Sequence, residues 1–177
     1  MTAPTPSWVI RPAHPDDAAS VIALITSVIA EPVNNLLSEP GEFTMTEEQE
    51  RLFLTEQTMR PDWAAFVAAT SESPARVIGL ITADGQRRRA IRHRANIGIS
   101  VAREWRGQGV GRALMQRAIA WAHESGVITR LELEVLTRNE AAIHLYERLG
   151  FQREGIRRNG LLRHGAYLDE LMMGLLL

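Results

Sequence analysis

Three glycines between a strand-like run and a helix-like run constrain this chain more than any other feature. The stretch reads Arg106-Gly107-Gln108-Gly109-Val110-Gly111-Arg112. Asn96-Ile97-Gly98-Ile99-Ser100-Val101 precedes it as a strand, and Ala113 to Ser125 follows as a helix. Glycines at such a junction let backbone N–H groups converge on one point, where the dipole of the next helix adds to them. A loop of this kind binds anions, most often phosphates. It does not say which phosphate compound.

Composition narrows the chemistry. The 177 residues suffice for a well-buried core, and residues 1–177 read as a single domain. A net charge of −1 argues against general nucleic-acid binding. No apolar run reaches the ~18 residues of a membrane span. The opening Met1-Thr2-Ala3-Pro4-Thr5-Pro6-Ser7 lacks the apolar core of a signal peptide, so a cytoplasmic protein is expected. There is no Cys, which removes disulfides, thiolate zinc sites and a Cys nucleophile. There is no Lys either: all 20 basic residues are Arg. Abundant Ala beside them points to codon bias as the cause, but the consequence stands. A Walker phosphate loop and Schiff-base chemistry both need a Lys. His14, His93, His123, His144 and His164 are scattered without metal-binding spacing, so no metal is expected.

Periodicity gives the order βααβββαβαββ. Trp8 to Ile10 is a first strand, and Asp16 or Asp17 caps a helix running to Ala30. Segment 31–50 holds six Glu and no basic residue, and its Thr46-Glu47-Glu48-Gln49 is a capping box for a second helix. Trp63 to Thr70, Val77 to Thr82 and Ala95 to Ala102 read as strands. The helix after the glycines sets Val110, Leu114, Ala118 and Trp121 on one stripe. Leu131, Leu133 and Val135 alternate with Glu132 and Glu134 as a half-buried strand. Asn139 to Leu149 is a helix closed by Gly150, with Phe151 folding back onto Tyr146 or Leu145. Strands near 151–158 and 166–176 complete a mixed α/β sheet. A dinucleotide fold is a rival for the glycine loop, with Glu132 as its acidic residue. It fits poorly, because the loop lies past the chain's midpoint and its spacing is G-x-G-x-G.

The same residues resemble a known family. Arg106-Gly107-Gln108-Gly109-Val110-Gly111 is similar to the Gln/Arg-x-x-Gly-x-Gly/Ala loop of GNAT-superfamily N-acetyltransferases. Leu131 to Val135, then Asn139, Ala142, Leu145-Tyr146 and Leu149-Gly150-Phe151, resemble that family's second half, and Ile10-Arg11 with Asp16-Asp17 its usual start. The resemblance implies a splayed central sheet flanked by helices. It implies acetyl-CoA as co-substrate, its pantetheine arm along Ile99, Ser100 and Val101. The pyrophosphate would lie on Arg106, Gly107, Gln108, Gly109, Val110, Gly111 and Arg112. It further implies pantetheine binding by Asn139 and protonation of departing CoA by Tyr146.

Acyl transfer to an amine needs a base, an oxyanion donor and an acid. With no Cys, direct attack in a ternary complex is the simplest route. Glu134 is the leading base, with Glu132, Glu31, His93, Asp169 or a water chain as alternatives. For Glu132 and Glu134 the plain reading is a solvated pair meeting Arg94 or Arg103, and for Asn139 a plain helix cap. The acidic 31–50 segment would attract a cationic amine. Arg87 to Arg94, with five Arg, lies on a hairpin that is solvated or else touches an anionic substrate or a subunit partner. The tail from Glu154 to Asp169 resembles members that acetylate free amino acids, and some acting on polyamines or ribosomal proteins. The expectation is an N-acetyltransferase whose acceptor is a free amino acid or other small amine. A protein N-terminal acetyltransferase and a non-catalytic acyl-CoA sensor are the alternatives. Family members are often homodimers, and the apolar Leu171–Leu177 end is a candidate interface.

Overall fold

The computed structural model describes residues 7–177, the side chains at 57 and 58 excepted; residues 1–6, read above for a signal sequence, lie outside them. The elements are β1 (Trp8–Pro12), α1 (Ala18–Ile29), α2 (Glu47–Thr58), β2 (Trp63–Thr70), β3 (Val77–Gly85), β4 (Arg94–Val101), α3 (Val110–Ser125), β5 (Arg130–Leu136), α4 (Glu140–Arg148), β6 (Gln152–Arg163) and β7 (Ala166–Leu176). This is the order that periodicity predicts. Boundaries differ where pairing extends a strand beyond its apolar run. β1 runs on to Pro12, which faces Phe66 from an edge strand where proline costs no ladder bond. β6 runs to Arg163 because Leu161, Leu162 and Arg163 still pair with Leu168, Tyr167 and Ala166.

The helix starts follow local chemistry. Thr46 and Gln49 form the expected capping box, with bonds of 2.8 and 3.2 Å. Asp17 acts differently from a simple cap of α1. Its carboxylate accepts from the His14 N–H at 2.8 Å and from both ends of the Arg11 guanidinium at 2.6 and 2.7 Å, closing a short 3-10 turn before α1. Gly150, at φ 95°, ends α4, and the Phe151 N–H returns to the Tyr146 carbonyl at 3.0 Å.

All seven strands join one sheet in the order β1-β2-β3-β4-β5-β7-β6. Every pairing is antiparallel except β4–β5. That is not the parallel sheet a dinucleotide fold requires. The β4–β5 pairing lasts for three rungs, Arg94–Arg130, Ala95–Leu131 and Asn96–Glu132. Beyond them β4 stays with β3 to Val101, while β5 stays with β7 to Leu136. The sheet therefore splits into two blades with a gap between them.

Alternation gives each face its own core. One face carries Phe66, Ile81, Ile97, Leu131, Leu133, Val135, Leu171 and Met173 beneath α3 and α4. The α3 stripe is Val110, Leu114 and Ala118, continued by Ala122; Trp121 is only half-buried. The other face carries Trp63, Ala65, Val67 and Ala69 beneath α1 and Leu54 of α2. Leu171 and Met173, part of the apolar end expected to cover an interface, lie in the chain's own core. Of that end's large apolar residues only Leu176 stands fully exposed.

The Arg11–Asp17 pair gives stability a pH dependence. Burial alone would raise the Asp17 pKa, but the bonds from Arg11 and His14 outweigh it and hold the carboxyl below its ordinary value. A group whose folded pKa is depressed stabilises the fold above its unfolded pKa of about 4 and loses that contribution as pH falls through the folded value. Asp17→Asn should therefore lower stability at pH 7 and flatten its decline below about pH 4. Urea melts of both proteins across that range check this.

Candidate active site

The glycine loop connects the end of β4 to α3. Gly107 and Gly109 adopt φ 73° and 86°, and a Cβ at either would meet nothing within 4 Å. Their backbone conformation, not crowding, calls for glycine. The first backbone bond of α3 is Ala113 N–H to the Gly109 carbonyl at 3.0 Å. The amides of Gly109, Val110, Gly111 and Arg112 thus stand at a helix N-terminus, where they have no partner within the helix. Gln108 closes the loop from behind, its Nε2 donating to the Glu104 carbonyl at 2.7 Å. Val110 is buried and anchors it. A Cβ at Gly111 would lie 3.5 Å from Leu145 Cδ2 of α4 and 3.8 Å from Val101 Cγ2 of β4. The loop therefore borders both the gap and α4.

The two arginines of the loop differ. Among the described residues Arg112 has no carboxylate partner. Arg106 grips Glu31 through both terminal nitrogens at 2.6 and 2.7 Å, and its Nε donates to the Val101 carbonyl at 2.9 Å. Ile99, Ser100 and Val101 lie on β4 beyond its last rung with β5, so their edge is open except at that carbonyl.

Tyr146 and Asn139 both belong to α4. The Asn139 side chain caps the helix, accepting from the Ala142 N–H at 3.4 Å. Tyr146 is 6% exposed and packs on Phe151 with ring centroids 6.0 Å apart. Burial pushes the phenol up to about 12, and no hydrogen bond contributes to that shift. The phenol is therefore protonated at neutral pH and its proton is uncommitted.

The candidate bases separate by their partners. Glu132 sits on the last rung, held by Arg130 at 3.1 Å and Arg94 at 3.5 Å. Glu31 is taken by Arg106. His93 lies at the start of β4, remote from the loop at its end. Asp169 accepts from the Asn159 N–H at 2.8 Å. Glu134 is the first residue of its face on β5 beyond the last rung, where Gly98 and Ser100 of β4 leave room. It pairs with Arg157 at 2.6 Å, not with Arg94 or Arg103. Glu134 and Tyr146 belong to opposite faces of the sheet.

The loop between α1 and α2 is tied to the same region by three arginines. Besides Arg106, Arg138 donates to the Asn34 carbonyl at 2.9 Å. Arg163, 7% exposed, donates to the carbonyls of Asn34, Leu36 and Ser38. The sequence does not single out Arg138, Arg157, Arg163 or Glu170. Their partners lie 23 to 129 positions away or one strand across, and no local pattern signals such pairs. The basic Arg87–Arg94 segment joins β3 to β4 at the far end of β4 from the glycine loop. It is too distant to serve an anion bound at that loop.

A family model described as the acetyltransferase (GNAT) family matches residues 30–151. The chain belongs to that family. A GNAT acetyltransferase from Streptococcus pneumoniae superposes with a TM-score of 0.89 at 30% identity, over 96% of this chain and 99% of that one. A Salmonella typhimurium acetyltransferase solved with acetyl-CoA shares the GNAT fold at a TM-score of 0.82 and 20% identity, over 97% and 94%. An L-amino acid N-acetyltransferase of Escherichia coli is 37% identical over 97 residues, 55% of this chain and 60% of its own. A ribosomal protein bS18-alanine N-acetyltransferase of Escherichia coli is 47% identical over 58 residues, 33% of this chain and 38% of its own. The GNAT resemblance read from the motifs and the splayed sheet it implies both hold. Among the described residues no helix is long and apolar enough to cross a membrane, and no cluster of three His, Asp or Glu could hold a metal.

Because the Tyr146 hydroxyl makes no bond that contributes to its titration, Tyr146→Phe should leave folding stability within about 0.5 kcal/mol. Guanidinium denaturation of the two proteins measures the difference.

Proposed function

We propose that this chain is an acetyl-CoA-dependent N-acetyltransferase whose acceptor is a free amino acid or another small primary amine. The observation that carries the reading is the gap between β4 and β5. It has a free helix N-terminus at one border, a buried uncommitted phenol on one face and a carboxylate on the other. The chain fits acetyl-CoA at this place. The space over Gly107 and Gly109 is open, the N-terminal amides of α3 follow directly after it, and the β4 edge at Ile99 and Ser100 offers backbone groups to an amide-bearing arm. Arg112 can offset phosphate charge directly. Arg106 can do so only by sharing its charge with Glu31.

In the reaction the acceptor nitrogen bonds to the thioester carbonyl carbon as the C–S bond breaks. Glu134 takes the proton the nitrogen loses, and Tyr146 gives its phenolic proton to the departing sulfur. With no Cys in the chain, the acetyl group has no cysteine on which to rest, so both substrates are held together. The strapped α1–α2 loop favours a small acceptor over a protein N-terminus. Arg138 and Arg163 hold its backbone close to the ends of β5 and β6.

Two tests follow. Gly109→Asn and Gly109→Asp both tolerate a left-handed backbone and differ in charge. CoA should bind the Asp variant at least roughly tenfold more weakly than the Asn variant, since a carboxylate would stand where phosphate belongs. Equal affinities by calorimetry would move the phosphates elsewhere. Tyr146→Phe should lower kcat by about 10²- to 10⁴-fold and leave the KM for acetyl-CoA nearly unchanged. Near-normal turnover would reduce Tyr146 to a core residue.

A further inference from the structure

Glu134 shares its cation with a second, buried carboxylate. Arg157 of β6 donates to Glu134 Oε1 at 2.6 Å and to Glu170 Oε2 of β7 at 3.0 Å. Glu170 is only 4% exposed. The sheet is locally rebuilt around it. Arg157 faces Glu170 and Leu161 faces Leu168, so residues 158, 159 and 160 stand opposite Asp169 alone. Such a bulge re-aims side chains next to it. Asn159 turns through φ 55° and its N–H is held by Asp169. Gly160 then passes directly over the Glu170 carboxylate, where any Cβ would collide with Oε2. The bulge thus makes room for Glu170 and sets Arg157 between the two acids.

We propose that Arg157 is a positioning residue that fixes the Glu134 carboxylate at the mouth of the gap. Glu170 takes one arm of the guanidinium and leaves only the other to Glu134, so the two carboxylates compete for a single positive charge. The inference rests on the reading of Glu134 as base. Two carboxylates share one guanidinium, which leaves the cluster one positive charge short. An acceptor that arrives as an ammonium completes it; that ammonium sheds one proton to water before it attacks, and Glu134 takes the second as the C–N bond forms. Most other charged groups on the neighbouring elements have partners of their own; Asp169 accepts from the Asn159 N–H, and Arg158 of the bulge has no carboxylate partner among the described residues. Glu132 is held by Arg130 and Arg94, and Glu154 of β6 by Arg130. Glu31 and Glu39 of the α1–α2 loop are held by Arg106 and Arg163. Asn96, Gly98 and Ser100 of β4 do not titrate.

The test is the acid limb of kcat at saturating acetyl-CoA and acceptor. Arg157→Gln leaves Glu134 beside an unshared carboxylate, and the limb should move up by about one pH unit. Glu170→Gln leaves the whole guanidinium charge to Glu134, and the limb should move down by about half a unit or more. Arg157→Lys should return the limb most of the way, and it covers the case in which Glu170→Gln fails to fold. Circular dichroism and the CoA-induced rise in melting temperature verify that each variant is folded. Glu134→Gln separates the two claims. If it keeps full activity, the base reading fails and this inference falls with it. If it loses activity while the Arg157 variants leave the limb in place, or both acid-limb shifts share one sign, Arg157 and Glu170 only brace the sheet.

Discussion

The parallel pairing of β4 with β5 stops after three rungs, and the rest of the site depends on that stop. Full pairing to Val101 would satisfy the backbone of β4 but leave no passage between the faces. Ending it at Asn96 and Glu132 leaves polar backbone groups open on the facing edges of both blades, a state proteins tolerate when water or a ligand can satisfy them. Each blade keeps its own antiparallel neighbours, so the split does not unravel the sheet. The α3 crossover then places its N-terminus at the border of the opening, because a parallel neighbour can be reached only by a crossover connection.

Arginine carries most of the long-range polar ties. A lysine offers a point charge, whereas a guanidinium is a planar fork that can hold a carboxylate in parallel or several carbonyls at once. Arg106 binds Glu31 and a carbonyl together; Arg163 binds three carbonyls of one loop; Arg157 bridges two strands. Whatever the cause of the missing Lys, the geometry shows what the fold makes of its arginines. The α1–α2 loop has no sheet neighbour of its own, and these forks replace one.

Much of the fold is legible in the chain because it rests on local rules. Alternation in Leu131 to Val135 marks β5, the Thr46–Gln49 box starts α2, and Gly150 with Phe151 closes α4. The glycine loop is legible for the same reason, since left-handed positions at Gly107 and Gly109 need no knowledge of the rest of the chain. The site's charge pairing is legible only in part: Arg94 does meet Glu132 as expected, but the partner of Glu134 is not foreseen. Glu132 and Glu134 look alike in the chain, yet the last rung separates them, giving one to Arg130 and Arg94 and the other to Arg157. Asp17 follows the same pattern, since its proximity to α1 suggests a cap but Arg11 decides its role. Register fixes such partners, and register is set by pairings between distant segments.

The two faces of the sheet suit the two halves of the proposed proton traffic. A leaving thiolate needs a donor that is still protonated when the C–S bond breaks, and burial among Phe151 and the α4-side core keeps Tyr146 in that state. An attacking amine must hand its proton to an acceptor as the C–N bond forms, and Glu134 stands on the other, more exposed face, held there by Arg157. Placed together in one pocket, the acid and the base could exchange a proton with each other before either met substrate. Placed on opposite faces, they can communicate only through the reacting groups in the gap. The short β4–β5 pairing opens the passage, and the sheet keeps the two proposed proton carriers on separate faces.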